Sequence, residues 1–100
     1  MNHYIVTVNF CGFMNCDEVY DVYADNPADA EMEALNIAEG DLSITYVEEL
    51  AEGEYEVGVQ WLFIGCEESY VVDADNEDEA ESNAIELAID DLDVIEIADA

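Results

Sequence analysis

The chain repeats itself, and the repeat fixes its organisation. Tyr20-Asp21-Val22-Tyr23-Ala24-Asp25-Asn26 matches Tyr70-Val71-Val72-Asp73-Ala74-Asp75-Asn76 at an offset of 50. The register continues through Ala30 and Ala80, Ala34 and Ala84, Ala38 and Ala88, and Leu42 and Leu92. Upstream, Tyr4, Val6, Val8 and Phe10 recur as Tyr55, Val57, Val59 and Trp61 at an offset of 51, so one turn differs in length by one residue. A unit of about 50 residues is marginal alone. The two copies, residues 1–50 and 51–100, are therefore expected to share the core of a single domain spanning 1–100.

Within each copy the apolar period changes along the chain. Large side chains at every second position predict half-buried strands near 3–12 and 17–25, and again near 54–63 and 68–75. Asn26 and Asn76 then have the character of helix N-caps. Pro27 suits the first helical turn, and Asn76 with Glu79 has capping-box spacing. Ala30, Ala34, Ile37 and Ala38 share one helical face, as do Ala80, Ala84, Leu87 and Ala88, and Gly40 supplies a stop. Leu42–Val47 and Leu92–Ile97 read as closing strands, although alternation slips near Val94 and Ile95. "LAEGE" at 50–54 reads as the turn between copies. The predicted fold class is α+β: two tandem ββαβ pseudo-repeats, a mainly antiparallel sheet, and two helices packed on one face.

Charge limits what this fold can meet. Of 100 residues, 28 are Asp or Glu and none is Lys or Arg, for a formal charge of -28. Acidic disordered tails lack apolar residues, whereas this chain is 52% hydrophobic. It reads as a folded protein with an acidic shell. Direct nucleic-acid binding is excluded, because phosphate contacts need Lys and Arg. The apolar runs fall short of the ~20 residues that span a bilayer, and anionic lipid would repel the surface, so no membrane partner is expected. Three cysteines without a dense framework, and no signal-like opening, point to a reduced cytoplasmic setting. Cys16 and Cys66 hold equivalent places, which indicates a shared packing role.

The stretch "DADNEDEAES" at 73–82 puts six carboxylates into ten positions. Glu77, Asp78 and Glu79 complement the positive end of a helix dipole, but Glu39, Asp90 and Asp91 stand at the wrong end for it. Like charges at helical spacing each cost roughly 0.2–0.5 kcal/mol, and ordinary surfaces intersperse both signs. Solubility accounts for any one of these residues, yet not for the complete lack of cations. The distribution is uneven, with 11 acidic residues in 1–50 and 17 in 51–100.

In size and charge the chain resembles the class of phage-encoded DNA-mimic inhibitors that block restriction enzymes or CRISPR effector complexes. These share surface chemistry without a common fold, and no family motif is matched to particular residues. The resemblance implies stoichiometric, non-covalent competition in the host cytoplasm, with carboxylates standing in for phosphates against a basic nuclease complex. The partner-binding residues expected on that basis are Asp25, Asp29 and Glu33 from the first copy. From the second they are Asp73, Asp75, Asp78, Glu79, Glu86, Asp90 and Asp91. An acidic chaperone or adaptor for a basic protein is the alternative, separable because nucleic acid should displace a mimic and need not displace a chaperone.

Other chemistries fit less well. Asp73, Asp75, Glu77 and Glu79 have the alternate spacing of a calcium loop, but its sixth-position glycine is Asp78 and its twelfth-position glutamate is Ala84. His3, Cys11 and Cys16 match no strong zinc motif. No enzyme is expected, since His3 lies near a terminus and there is no cation to stabilise a developing anion. No cofactor or metal is expected either. The apolar hairpins "FCGFMNC" and "WLFIGC" read chiefly as core, with Phe13, Met14, Phe63 or Ile64 as the alternative: a homodimer contact or an anchor on the target. Ile85 and Ile89 pose the same question.

Overall fold

The computed structural model describes residues 1–62 and 65–100; Phe63 and Ile64, two of the candidate anchors, lie outside the described residues. The element order is β1 (Asn2–Phe10), β2 (Asp17–Ala24), α1 (Pro27–Glu39), β3 (Leu42–Ala51), β4 (Glu54–Trp61), β5 (Glu67–Asp73), α2 (Glu77–Asp90) and β6 (Leu92–Asp99). This is an α+β fold with the ββαβ order twice over. The strands form two antiparallel three-stranded sheets, ordered β2-β1-β6 and β3-β4-β5, each with one helix against it.

The compact units do not follow the repeat boundary. One comprises Met1–Asp41 with Leu92–Ala100, and the other is Leu42–Asp91. Each closing strand has been exchanged: β3 pairs with β4 of the following copy, and β6 pairs with β1. The two-residue turn at Glu52–Gly53 explains the first exchange, since a connection this short delivers the chain directly into an antiparallel neighbour. Gly53, at φ 79°, takes the left-handed conformation that the turn requires. "LAEGE" is thus a turn of two residues, with Leu50 and Ala51 still in β3.

In the first unit Val6, Val8 and Phe10 of the central strand lie beneath α1, whose Ala30, Ala34 and Ala38 are fully buried. The second repeats this with Val57, Val59 and Trp61 beneath Ala80, Ala84 and Ala88. Alanine lets helix and sheet approach closely, so the contact arc is narrow. Ile37 and Leu87, placed on that face by periodicity, sit instead on its shoulder, 44% and 43% exposed. Ile85 and Ile89 are half-buried.

Both helices start as their sequences indicate. Asn26 Oδ1 accepts the Asp29 N–H and Asn76 Oδ1 accepts the Glu79 N–H, each at 2.9 Å. The return bond expected of a capping box is displaced by one residue: Glu79 Oε1 accepts from the backbone of Asp75 at 3.3 Å rather than from Asn76. Gly40 ends α1 with ordinary right-handed backbone at φ -67°, and Asp91 does the same for α2. The stop therefore does not depend on glycine.

The slipped alternation near Val94 and Ile95 is a β-bulge. Val8 faces Val94 while Thr7 faces Glu96, which leaves Ile95 as the extra residue. The equivalent position in β3 behaves alike, with Thr45 extra between the Ile44–Val59 and Tyr46–Gly58 pairs. Gly58 is buried because the Tyr46 ring lies across it, and a Cβ there would overlap both that ring and the Thr45 hydroxyl. Cys16 and Cys66 are buried as expected of packing residues, but both are disulfide-bonded, whereas Cys11 keeps its thiol. That corrects the reduced state expected for them; repeat spacing locates a sulfur along the chain and carries no distance to another sulfur.

Candidate functional site

The exchange of closing strands redistributes the charge. The unit built from 1–41 and 92–100 holds 12 carboxylates, and the unit 42–91 holds 16. In the first unit their placement follows strand position, whereas in the second the central β4 carries as many as the edge β3. Central β1 has no acidic residue and β4 has Glu54 and Glu56, while every edge strand carries at least two: Asp17, Glu18 and Asp21 on β2, and Glu67, Glu68 and Asp73 on β5. Edge charges block sheet-to-sheet pairing. Part of the acidic shell therefore protects the fold.

In the first unit, Asp25, Asp29 and Glu33 are exposed and come together. They line one groove of about 250 Å³ where the end of β2 meets the outer side of α1. Met1, Tyr23, Ala24, Met32 and Asn36 complete its wall. Tyr23 and Met32 are 61% and 63% exposed. The backbone carbonyl of Asp25 accepts from Asn2 Nδ2 at 3.4 Å, and Asp29 Oδ2 accepts from Asn26 Nδ2 at 3.3 Å. Beside the groove, His3 stacks on Tyr23 with ring centroids 4.6 Å apart, and its Nε2 lies 3.2 Å from Asp21 Oδ1. Charge periodicity points to the three carboxylates but misses Tyr23 and Met32. The available signal is a mismatch between copies, since Asp73 and Ser82 hold the equivalent positions.

In the second unit Glu79, Glu86 and Asp90 are exposed and fall within about 40° of arc on α2, given roughly 100° per residue. Asp78 is exposed on the other flank, and Asp73 and Asp75 precede the helix. The backbone carbonyl of Asp73 accepts from Asn83 Nδ2 at 3.1 Å. Asp91 differs from the rest: it is half-buried and its Oδ2 accepts the Tyr70 hydroxyl. The equivalent pair in the other unit, Tyr20 Oη to Asp41 Oδ2, measures 2.8 Å. Each bond ties a strand tyrosine to the residue just after a helix, so Asp91 has a structural duty at the helix end.

Burial, reinforced by the Asp41 hydrogen bond and charge, pushes the Tyr20 phenol well above its usual value. Tyr46 and Tyr55 are raised too, first by desolvation and then by Glu56 and Glu49 respectively. These phenols are held as hydrogen-bond donors to carboxylates.

The calcium-like stretch 73–79 is a strand end, an Asn cap and a helix start rather than a loop. Among the described residues, no three His, Cys, Asp or Glu side chains converge to hold a metal ion. At the first apolar hairpin Phe13 is half-buried, edge-on to Phe10 at 6.2 Å, and Met14 is 88% exposed. Asn9 holds this turn, donating to the Phe13 carbonyl at 2.9 Å and to Asp17 Oδ1 at 2.6 Å. Comparison with protein-family models, curated proteins and solved structures finds no match to this chain.

Proposed function

We propose that the protein is a nucleic-acid mimic: it occupies the basic DNA- or RNA-binding channel of a defence nuclease complex, a CRISPR effector or a restriction enzyme, and blocks it by steric competition. The observation that carries this reading is a set of 28 carboxylates with no Lys or Arg, 23 of them on helices and strands rather than on a disordered tail. Edge protection and helix-start chemistry account for some of those groups. They leave Glu86 and Asp90 unexplained, since both lie late in a helix whose C-terminal end disfavours negative charge. Alternate strand carboxylates stand roughly 6.6–6.8 Å apart and helical neighbours about 5–6 Å. These spacings are comparable with the intervals along a phosphate backbone. The mechanism needs no catalytic group and no cofactor. Charge of one sign speeds encounter with a basic channel and makes association sensitive to salt.

The deciding experiment captures basic nucleic-acid-binding proteins on immobilised protein, then adds duplex or guide nucleic acid across a salt series. A mimic is displaced by both. Capture indifferent to salt and to nucleic acid would sink the reading.

A further inference from the structure

Charge draws the protein toward any basic surface, so a choice among basic partners needs a second feature. The groove of the first unit supplies one. Its acidic margin, Asp25, Asp29 and Glu33, adjoins two exposed apolar side chains, Tyr23 and Met32. The repeated junction can be built without that pair, although Tyr23 also stacks on His3. The other unit builds the same strand-to-helix junction with Asp73 in place of Tyr23 and Ser82 in place of Met32. It also has Asn83 in place of Glu33, with its amide turned back onto the Asp73 carbonyl at 3.1 Å. Two copies of one unit thus show the junction with and without an apolar wall. The version with the wall costs exposed hydrophobic surface that the other avoids.

The groove, at about 250 Å³, is smaller than the roughly 300–1,000 Å³ of small-molecule pockets. It suits one long side chain. Resting on the mimic reading, we propose that this groove is the specificity anchor of the inhibitor and seats an arginine side chain presented by the target. The carboxylates take the guanidinium through its forked donors, and Tyr23 and Met32 cover its planar and aliphatic parts. Lysine, a compact and strongly hydrated charge, gains less from such a wall.

The test uses a nona-arginine and a nona-lysine peptide as probes, with affinities measured by calorimetry at physiological ionic strength. The wild-type protein is expected to bind nona-arginine about two- to fivefold more tightly, the range for a cation over an exposed aromatic ring. The double substitution Tyr23→Asp/Met32→Ser copies the other unit and adds one negative charge. If the site were only electrostatic, it would tighten arginine binding; a groove anchor requires it to weaken and the arginine preference to vanish. Tyr23→Ser/Met32→Ser, which leaves the charge unchanged, should abolish the preference as well, and unaltered melting curves confirm the fold. Equal affinity of the two peptides for wild type, or a preference that survives both variants, overturns the anchor. Neither result touches the mimic reading, which stands or falls on nucleic-acid competition.

Discussion

Two contacts show how single residues carry the structure. Gly58 has no room for a methyl group beneath Tyr46 and beside Thr45. Gly58→Ala should destabilise the protein by roughly 1–3 kcal/mol, the usual cost of overpacking. Denaturant melts should show a smaller loss when Tyr46→Ala is already present, because the two substitutions share one space. Tyr20 is the second case. Its folded-state pKa lies above the unfolded value near 10, so the folded protein holds this proton more tightly. The stabilisation is complete below pH ~10 and is lost as pH rises through the folded value. Melting temperature should therefore fall on the alkaline side, and Tyr20→Phe, which has no proton to lose, should flatten that fall. For the cysteines, thiol titration of denatured, non-reduced protein should find one reactive group, Cys11, rather than three.

At the scale of elements, three alanines spaced four apart do more than mark an apolar face. They set the distance between helix and sheet, which is why Ile37 and Leu87 ride on the shoulder. Ala84 is fully buried at the centre of its row. Ala84→Leu should cost roughly 1–3 kcal/mol for the same overpacking reason, read as a shift in the denaturant midpoint at constant m-value. In the first sheet strand position likewise sorts the charge, leaving β1 bare and loading the edges β2 and β6. Element identities and both Asn caps were legible in the sequence, because period and capping chemistry are local. The bulge at Ile95 was legible only as a break in alternation and the one at Thr45 not at all; the partner strand shows in each case that one residue is extra.

For the whole molecule, the dominant quantity is uncompensated charge. Self-repulsion of this kind weakens the folded state and is screened by salt. Added sodium chloride should raise the melting temperature. Glu86→Gln with Asp90→Asn should do so as well, with roughly 0.3–1 kcal/mol expected from relieving the helix end at Asp90 alone. On the proposed mimic function, the same pair should weaken inhibition of a target nuclease. Unchanged inhibition would remove that row of α2 from the binding surface. Asp91 belongs to a different test, since its bond to Tyr70 makes any loss of binding on substitution inseparable from loss of structure.

The sequence alone determined the repeat, the ββαβ order, the caps and the net charge, because each rests on local period, local hydrogen bonding or simple counting. Of the ten acidic positions it singled out, it could not distinguish Asp91, engaged by a tyrosine, from Glu86, open to solvent. Nor could it pair Tyr23 and Met32 with Asp25, Asp29 and Glu33, since a strand end and a helix flank meet only in three dimensions. The exchange of closing strands was equally hidden. Repeat matching pairs like with like along the chain, whereas β3 went to the strand that the two-residue turn at Glu52–Gly53 brought alongside and β6 to the β1 edge, and that is a property of the folded backbone.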